Sequence, residues 1–344
     1  MTRTQSMHRT ALRHTQRGVN LIEIMVAMVI GLFLVLGATT LYVSTRKTSD
    51  VDDSIARLQE TARYAMSVIE SDVRMANYWG MMKDGANFDN KDANTNVAAG
   101  ANAGALGAST SSNYCGATYA TNTEAYTETS NNNYGIPNCT ARYAASTSAD
   151  TLTIRRAATA TSTASATQLQ VCSTHKGSSV IKSSTATCQN GEIHNLVTNG
   201  YYIDQQSDQS STVPSLRRKT LGDGPSFTDV EIIPGVEDMQ IELGWDDGDG
   251  QADAAGAVRY GSPGTLPAGG RIVAVRVWLL IRAEQSDSTF TDTRTYSYAD
   301  RTGTAVNNLN GSATGADGKQ YAPNDNFRRL LVSRTFFIRN VTGT

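Results

Sequence analysis

The stretch Arg17-Gly18-Val19-Asn20-Leu21-Ile22-Glu23-Ile24-Met25-Val26-Ala27-Met28-Val29-Ile30-Gly31-Leu32-Phe33-Leu34-Val35-Leu36-Gly37 decides the fold. No charged residue occurs from Ile24 to Val43. A run of that length meets the about 20 residues that a helix rising about 1.5 Å per residue needs to cross a hydrocarbon layer about 30 Å thick. Upstream, residues 1–17 hold Arg3, Arg9, Arg13 and Arg17 and no acid, the composition of a segment kept on the cytoplasmic side of a membrane. A secretory signal would end its apolar run with small residues for cleavage on the far side. Here the small residue, Gly18, precedes the run instead.

Composition narrows the field further. The 344 residues suffice to bury a sizeable core, the formal net charge is −2, and charged residues make up 18% of the chain. The spread of Lys, Arg, Asp and Glu gives no large single-sign field, so a nucleic-acid partner is not expected. Cys115, Cys139, Cys172 and Cys188 lie well downstream of the apolar run and none is in C-x-x-C spacing, which disfavours zinc and thioredoxin-like chemistry. An even count in a segment outside the cytoplasm favours two disulfides. Of the three connectivities, sequential pairing of Cys115 with Cys139 and of Cys172 with Cys188 is preferred.

Glu23 is a carboxylate near the start of a membrane helix, a placement costing about 2 to 3 kcal/mol unless it is paired, protonated or close to the interface. Two readings remain open: pairing with another subunit, or snorkelling of a plain anchor to the headgroups. Gly31 and Gly37 suit close packing against another helix better than a hinge.

Helical periodicity continues past the membrane. Val51, Ile55, Leu58, Ala62, Ala65, Ile69, Val73 and Ala76 recur at spacings of four and three. Asp53 with Arg57 and Glu70 with Arg74 stand at i and i+4 with the acid first. One helix is expected to run to about Asn77 and to bury this stripe. Residues 84–149 are rich in Ala, Asn, Thr, Ser and Gly and read as long loops, either a binding surface or solvated filler. Short strands are expected at 151–155, 168–172, 198–204, 215–221 and 229–233, with stronger ones at 236–245, 271–283 and 330–339. The β-branched run Ile272 to Ile281 is expected at the centre of a largely antiparallel sheet.

The string Arg17 to Glu23, with its basic leader, its glycine and the Leu-Ile-Glu that follows, resembles the prepilin peptidase signal of type IV pilins and type II secretion pseudopilins. That resemblance implies cleavage after Gly18, N-methylation of Val19, and a Glu23 that meets the free amine of a neighbouring subunit's first residue. The family usually has Phe where Val19 stands. Many major pilins also carry a proline in the apolar stretch, and none occurs here.

Arg57-Leu58-Gln59-Glu60-Thr61-Ala62-Arg63-Tyr64-Ala65-Met66 and Asp72-Val73-Arg74-Met75-Ala76-Asn77-Tyr78 resemble the PilW family of minor pilins. So do Tyr201-Tyr202-Ile203-Asp204, Gly235 to Gln240, Ala274 to Arg282 and Phe337 to Asn340, in the same order. The resemblance implies an α+β, pilin-like fold: a leader at 1–18, a transmembrane half-helix at 19–45 and an amphipathic half at 46–78. A low-complexity loop region at 79–149 and a β-rich part at 150–344 complete it. It implies a minor pilin that initiates or caps a type IV pilus serving motility, adhesion or DNA uptake. The partners would be other pilins, the prepilin peptidase and the inner-membrane assembly platform, and the location the inner membrane followed by the cell surface. A minor pseudopilin of type II secretion and a pilus-tip adhesin using residues 84–149 are the alternatives.

Asp247, Asp249 and Asp253 alternate with glycines as a hard cation such as calcium prefers, but Trp245 stands at the first ligand position of the loop motif and Gly256 at the twelfth. Calcium or a plain acidic hairpin turn are both open. No catalytic motif is present: His175 and His194 are isolated, and Glu192 beside His194 is too little for an active site.

Overall fold

The computed structural model describes residues 18, 20–82, 115, 119–123, 125–181, 184–224, 226–246, 258–266, 270–310 and 318–341. The chain divides into two compact units, the first ending at Asp53 and the second beginning at Ser54. Helix α1 is Leu21–Met75, 55 residues long. The strands are β1 (Thr127–Ser130), β2 (Thr151–Thr161), β3 (Gln170–Thr174), β4 (Ser178–Ile181), β5 (Gly191–Asp204), β6 (Ser215–Leu221) and β7 (Phe227–Pro234). They continue with β8 (Val236–Asp246), β9 (Arg259–Gly261), β10 (Arg271–Arg282), β11 (Gly303–Val306), β12 (Lys319–Tyr321) and β13 (Arg329–Phe337).

In the first unit the apolar side chains from Leu21 to Val43 are exposed all round α1. In the second, α1 presents one buried stripe: Leu58, Ala62, Ala65, Met66, Ile69 and Val73. Ile55, expected in that stripe, is 41% exposed. The stripe packs on Leu152, Ile154, Tyr201 and Leu216 of one sheet and on Met239, Ile241, Val275, Val277 and Leu279 of another. Each fully buried aliphatic side chain in such a seam contributes about 1.5 to 3 kcal/mol, so this packing, more than helix propensity, fixes the second half of α1.

The first sheet runs β1-β2-β5-β3-β4, with β6 on β5 and β7 on β6. The second runs β13-β10-β8-β9, and β10 is central as its β-branched composition requires. All pairings in both are antiparallel; β11 and β12 form a separate parallel pair. The chain passes from one sheet to the other at Gly235, between β7 and β8, whose φ of 88° belongs to the left-handed region that glycine enters freely.

α1 stops where Asn77 turns to φ 60°, as an asparagine can at a helix end. The far end of the chain caps it. Asn340 Nδ2 donates to Ala76 O at 3.2 Å, and Asn77 Nδ2 donates back to Asn340 O at 3.2 Å. Residues 79–149, read as loops, hold β1 and supply Tyr119 and Ile136, which with Tyr202 of β5 form a small core around the Cys115–Cys139 disulfide.

Candidate functional site

The amino-terminal turn of α1 is built by Asn20. Its carbonyl accepts from Glu23 N at 2.9 Å and Ile24 N at 3.2 Å, so it stands at the helix cap, with Glu23 three residues on. That is the spacing of a capping box. The carboxylate lies where unsatisfied backbone N–H groups and the helix dipole favour negative charge, by about 0.3 to 1 kcal/mol. Gly18 and Asn20 are exposed, and Val19 falls outside the described residues.

Past Glu23 the helix is long and apolar enough to cross a membrane, and none of that window is buried. Its threonine hydroxyls bond back to the helix. Thr39 donates to Val35 O at 2.9 Å, Thr40 to Gly37 O at 2.8 Å and Thr45 to Leu41 O at 2.9 Å. These bonds hide hydroxyls that would be costly to leave bare in lipid. A Cβ added at Gly31 or Gly37 would meet nothing within 4 Å, so neither glycine serves packing within this chain.

In the second unit a buried carboxylate ties α1 to the first sheet. Asp72 accepts from Asn199 Nδ2 at 2.6 Å and from Tyr201 Oη at 2.5 Å, both on β5. Arg156 on β2 reaches its other oxygen through Nη2 at 3.0 Å and Nε at 3.3 Å. A buried charge survives only when so partnered. Neither Asp72 nor Tyr201 belongs to a motif; an acid inside an otherwise apolar stripe is the available signal in the sequence.

Further ion pairs of this kind bind loops to the sheets. Arg301 is fully buried and meets Asp238 through Nε at 2.7 Å and Nη2 at 2.9 Å, while Tyr298 donates to the same carboxylate at 2.5 Å. Arg329 joins Glu237 at 2.6 Å and Asp325 at 2.6 Å. Arg217 joins Asp229 at 2.7 Å, Asp208 at 2.9 Å and Glu231 at 3.2 Å. Burial pushes Asp150 well above the usual carboxylate range, although backbone N–H groups of Asn132 and Ile241 donate to it.

The four cysteines pair sequentially: Cys115 with Cys139, Cα atoms 4.5 Å apart, and Cys172 with Cys188, 5.5 Å apart. Asp247, Asp249 and Asp253 lie outside the described residues. Among the described residues no cluster of three His, Cys, Asp or Glu side chains could hold a metal. His175 is exposed. His194 is buried, with Nδ1 3.3 Å from Ala160 O and Nε2 3.3 Å from a Glu192 oxygen. That last contact is close enough for an ion pair but lacks hydrogen-bond geometry. An edge-on Tyr78 ring completes a structural environment for the imidazole.

A helix apolar and long enough to cross a membrane, whose later turns pack into the core of antiparallel sheets, defines an α+β protein. Residues 200–340 match the family model PilW, type IV pilus-assembly protein W. This span includes the strand segments whose resemblance to that family was noted, and leaves Arg57 to Tyr78 outside. The chain is therefore similar to type IV pilus-assembly proteins over its carboxy-terminal β region, which supports a pilus-related component. Among solved structures it is similar to the type IV-like pilin TTHA1219 from Thermus thermophilus, at 14% identity and a TM-score of 0.29 over 56% of this chain and 78% of that one. No curated protein matches it.

Proposed function

We propose that the protein is a minor pilin, a non-enzymatic subunit that initiates or caps assembly of a type IV pilus. The observation that carries this reading is Glu23: a carboxylate in the capped first turn of a helix whose apolar side chains are exposed from Leu21 to Val43. Such a helix needs lipid or other helices around it. The prepilin peptidase cleaves after Gly18, Val19 becomes the methylated first residue, and the helix waits in the inner membrane with the β-rich unit outside the cytoplasm. On assembly the helix enters a bundle with other pilins. There the Glu23 carboxylate meets the free amine of a neighbour's first residue, and a charge pair in so low a dielectric rewards one axial register over others.

The match of residues 200–340 to a pilus-assembly family supports the pilus over the secretion-system alternative. The test replaces Glu23 with Ala and with Gln in the full chain and counts surface pili. Both changes should cut piliation while the subunit still accumulates in the membrane. Unchanged pilus numbers would remove assembly register from the role of Glu23.

A further inference from the structure

Just past its apolar run α1 carries a basic pair and then a group of acids. Val43 ends the run, Arg46 and Lys47 follow, and Asp50, Asp52 and Asp53 come next. All of these charged side chains are exposed, and the helix is unbroken through them. Thr45 and Thr48 return their hydroxyls to Leu41 O at 2.9 Å and Ser44 O at 3.1 Å, so neither needs a partner outside the helix. Among the described residues neither Arg46 nor Lys47 forms an ion pair. Asp50 stands at i+4 from Arg46, but with the base first, which is the poorer orientation for a pair on a helix.

Distances along the helix decide where these charges fall. The run Ile24 to Val43 is about 30 Å long, the thickness of the hydrocarbon layer, which leaves about 5 to 8 Å of headgroup region on each side. Glu23 stands at one boundary. At the other, Arg46 and Lys47 lie about 4.5 and 6 Å beyond Val43, inside the headgroup region. Asp50 lies about 10 Å beyond Val43 and Asp53 about 15 Å, both in water. Basic side chains reach phosphate while their stems stay against apolar surface, and a guanidinium matches phosphate oxygens in fork geometry. The carboxylates one turn further out are repelled by the same phosphates. A helix displaced one turn inward would bring Asp50 among the phosphates, and one displaced outward would take Arg46 and Lys47 away from them.

We propose that Arg46 and Lys47 form a binding site for the phosphates of anionic phospholipids in the leaflet opposite Glu23, and that the acids at 50–53 complete a stop that fixes the depth of α1 before assembly. The inference rests on the membrane-spanning reading of α1 given above. Lipid is the occupant because the pair directly continues the apolar run that the bilayer covers, at the depth of the headgroups. An anionic surface attracts each basic side chain close to it, and the attraction fades within a Debye length.

The test uses the full chain in vesicles of phosphatidylcholine and phosphatidylglycerol at a low protein-to-lipid ratio. All four native cysteines are paired, so Ser44→Cys takes a nitroxide at one place, and its collision rate with a water-soluble nickel chelate reads depth. A nitroxide at Leu34→Cys should be shielded from the chelate in every variant; free access there would overturn the membrane span itself. With the span intact, Arg46→Gln with Lys47→Gln should raise the collision rate at position 44 about twofold or more, and Asp50→Asn with Asp52→Asn and Asp53→Asn should lower it by a similar factor. In phosphatidylcholine alone, whose headgroup has no net charge, the effect of the Arg46/Lys47 change should shrink. Phosphorus-31 dephasing in solid-state spectra should reach the Lys47 ammonium signal, recognised by its loss in Lys47→Gln. Absent dephasing, depth changes of the same sign or of zero in the two charge variants, or an equal effect in phosphatidylcholine alone would overturn the proposal. So would a depth effect seen only at high protein-to-lipid ratio, since the acids of a second copy would then be the occupant.

Discussion

The hydroxyl of Tyr201 donates to the carboxylate of Asp72 at 2.5 Å, joining β5 to the buried face of α1. Asn199 and Arg156 complete the set of donors on that carboxylate. Asp72→Ala leaves Arg156 and two neutral donors without their acceptor, so it should lower stability by about 3 to 5 kcal/mol, as breaking a buried ion pair does. Tyr201→Phe should cost less, about 1 to 3 kcal/mol. Denaturant midpoints of both single variants and the double variant measure the coupling, and strictly additive losses would refute the contact.

The Cys172–Cys188 disulfide closes a loop with sequence separation 16. Cross-links of that size stabilise by about 3 kcal/mol, chiefly through the unfolded chain. Replacing both cysteines by serine should reduce stability by about that amount. A thiol reductant should narrow the gap between the native chain and this variant; a native chain indifferent to reductant would contradict it.

Asp229 sets part of the acid limit. Burial alone would raise its carboxyl, but hydrogen bonds from Lys219, Tyr202 and Arg217 outweigh it and hold the group below its ordinary value. With the folded value depressed, its contribution is fully present above the unfolded value of about 3.9 and fades as pH falls through the folded one. The urea midpoint of the native chain should therefore drop below about pH 4, and Asp229→Asn should flatten that limb. An identical acid limb in both proteins would exclude Asp229 as a cause.

Gly80 has a φ of 77°, and a Cβ placed there would lie 2.8 Å from His194 Nε2. Gly80→Ala combines left-handed strain with that clash, for a loss of about 1 to 3 kcal/mol. Gly224→Ala shares the positive φ, at 70°, but meets nothing within 4 Å. The difference between their melting temperatures isolates the clash, and equal losses would show that it relaxes away.

The parts of the fold legible in sequence were those with a sustained period. The 3.6-residue stripe gave α1 almost to its end, and the run Ile272 to Ile281 gave the central strand β10, because both patterns arise from one-sided or complete burial along many residues. β1, β4, β9, β11 and β12 are three or four residues long, too short for a period to emerge. Arg155, Arg217, Arg301 and Arg329 are all buried, a placement arginine rarely takes and for which no sequence pattern speaks. Their partners are set by tertiary contact: Arg301 and Asp238 are 63 residues apart. The candidate site divides similarly. Glu23 stood out as one charge in an apolar run, whereas Asp72 lies on the apolar stripe of α1 but takes its donors from strands far along the chain, which no local pattern announces.

Both disulfides join cysteines that are neighbours in chain order. On the proposed topology, in which the chain emerges in order from its membrane helix, Cys139 would reach Cys115 before Cys172 has crossed. Each thiol would then find its native partner as the nearest one available, and the order of emergence itself would select against both the crossed and the nested pairing.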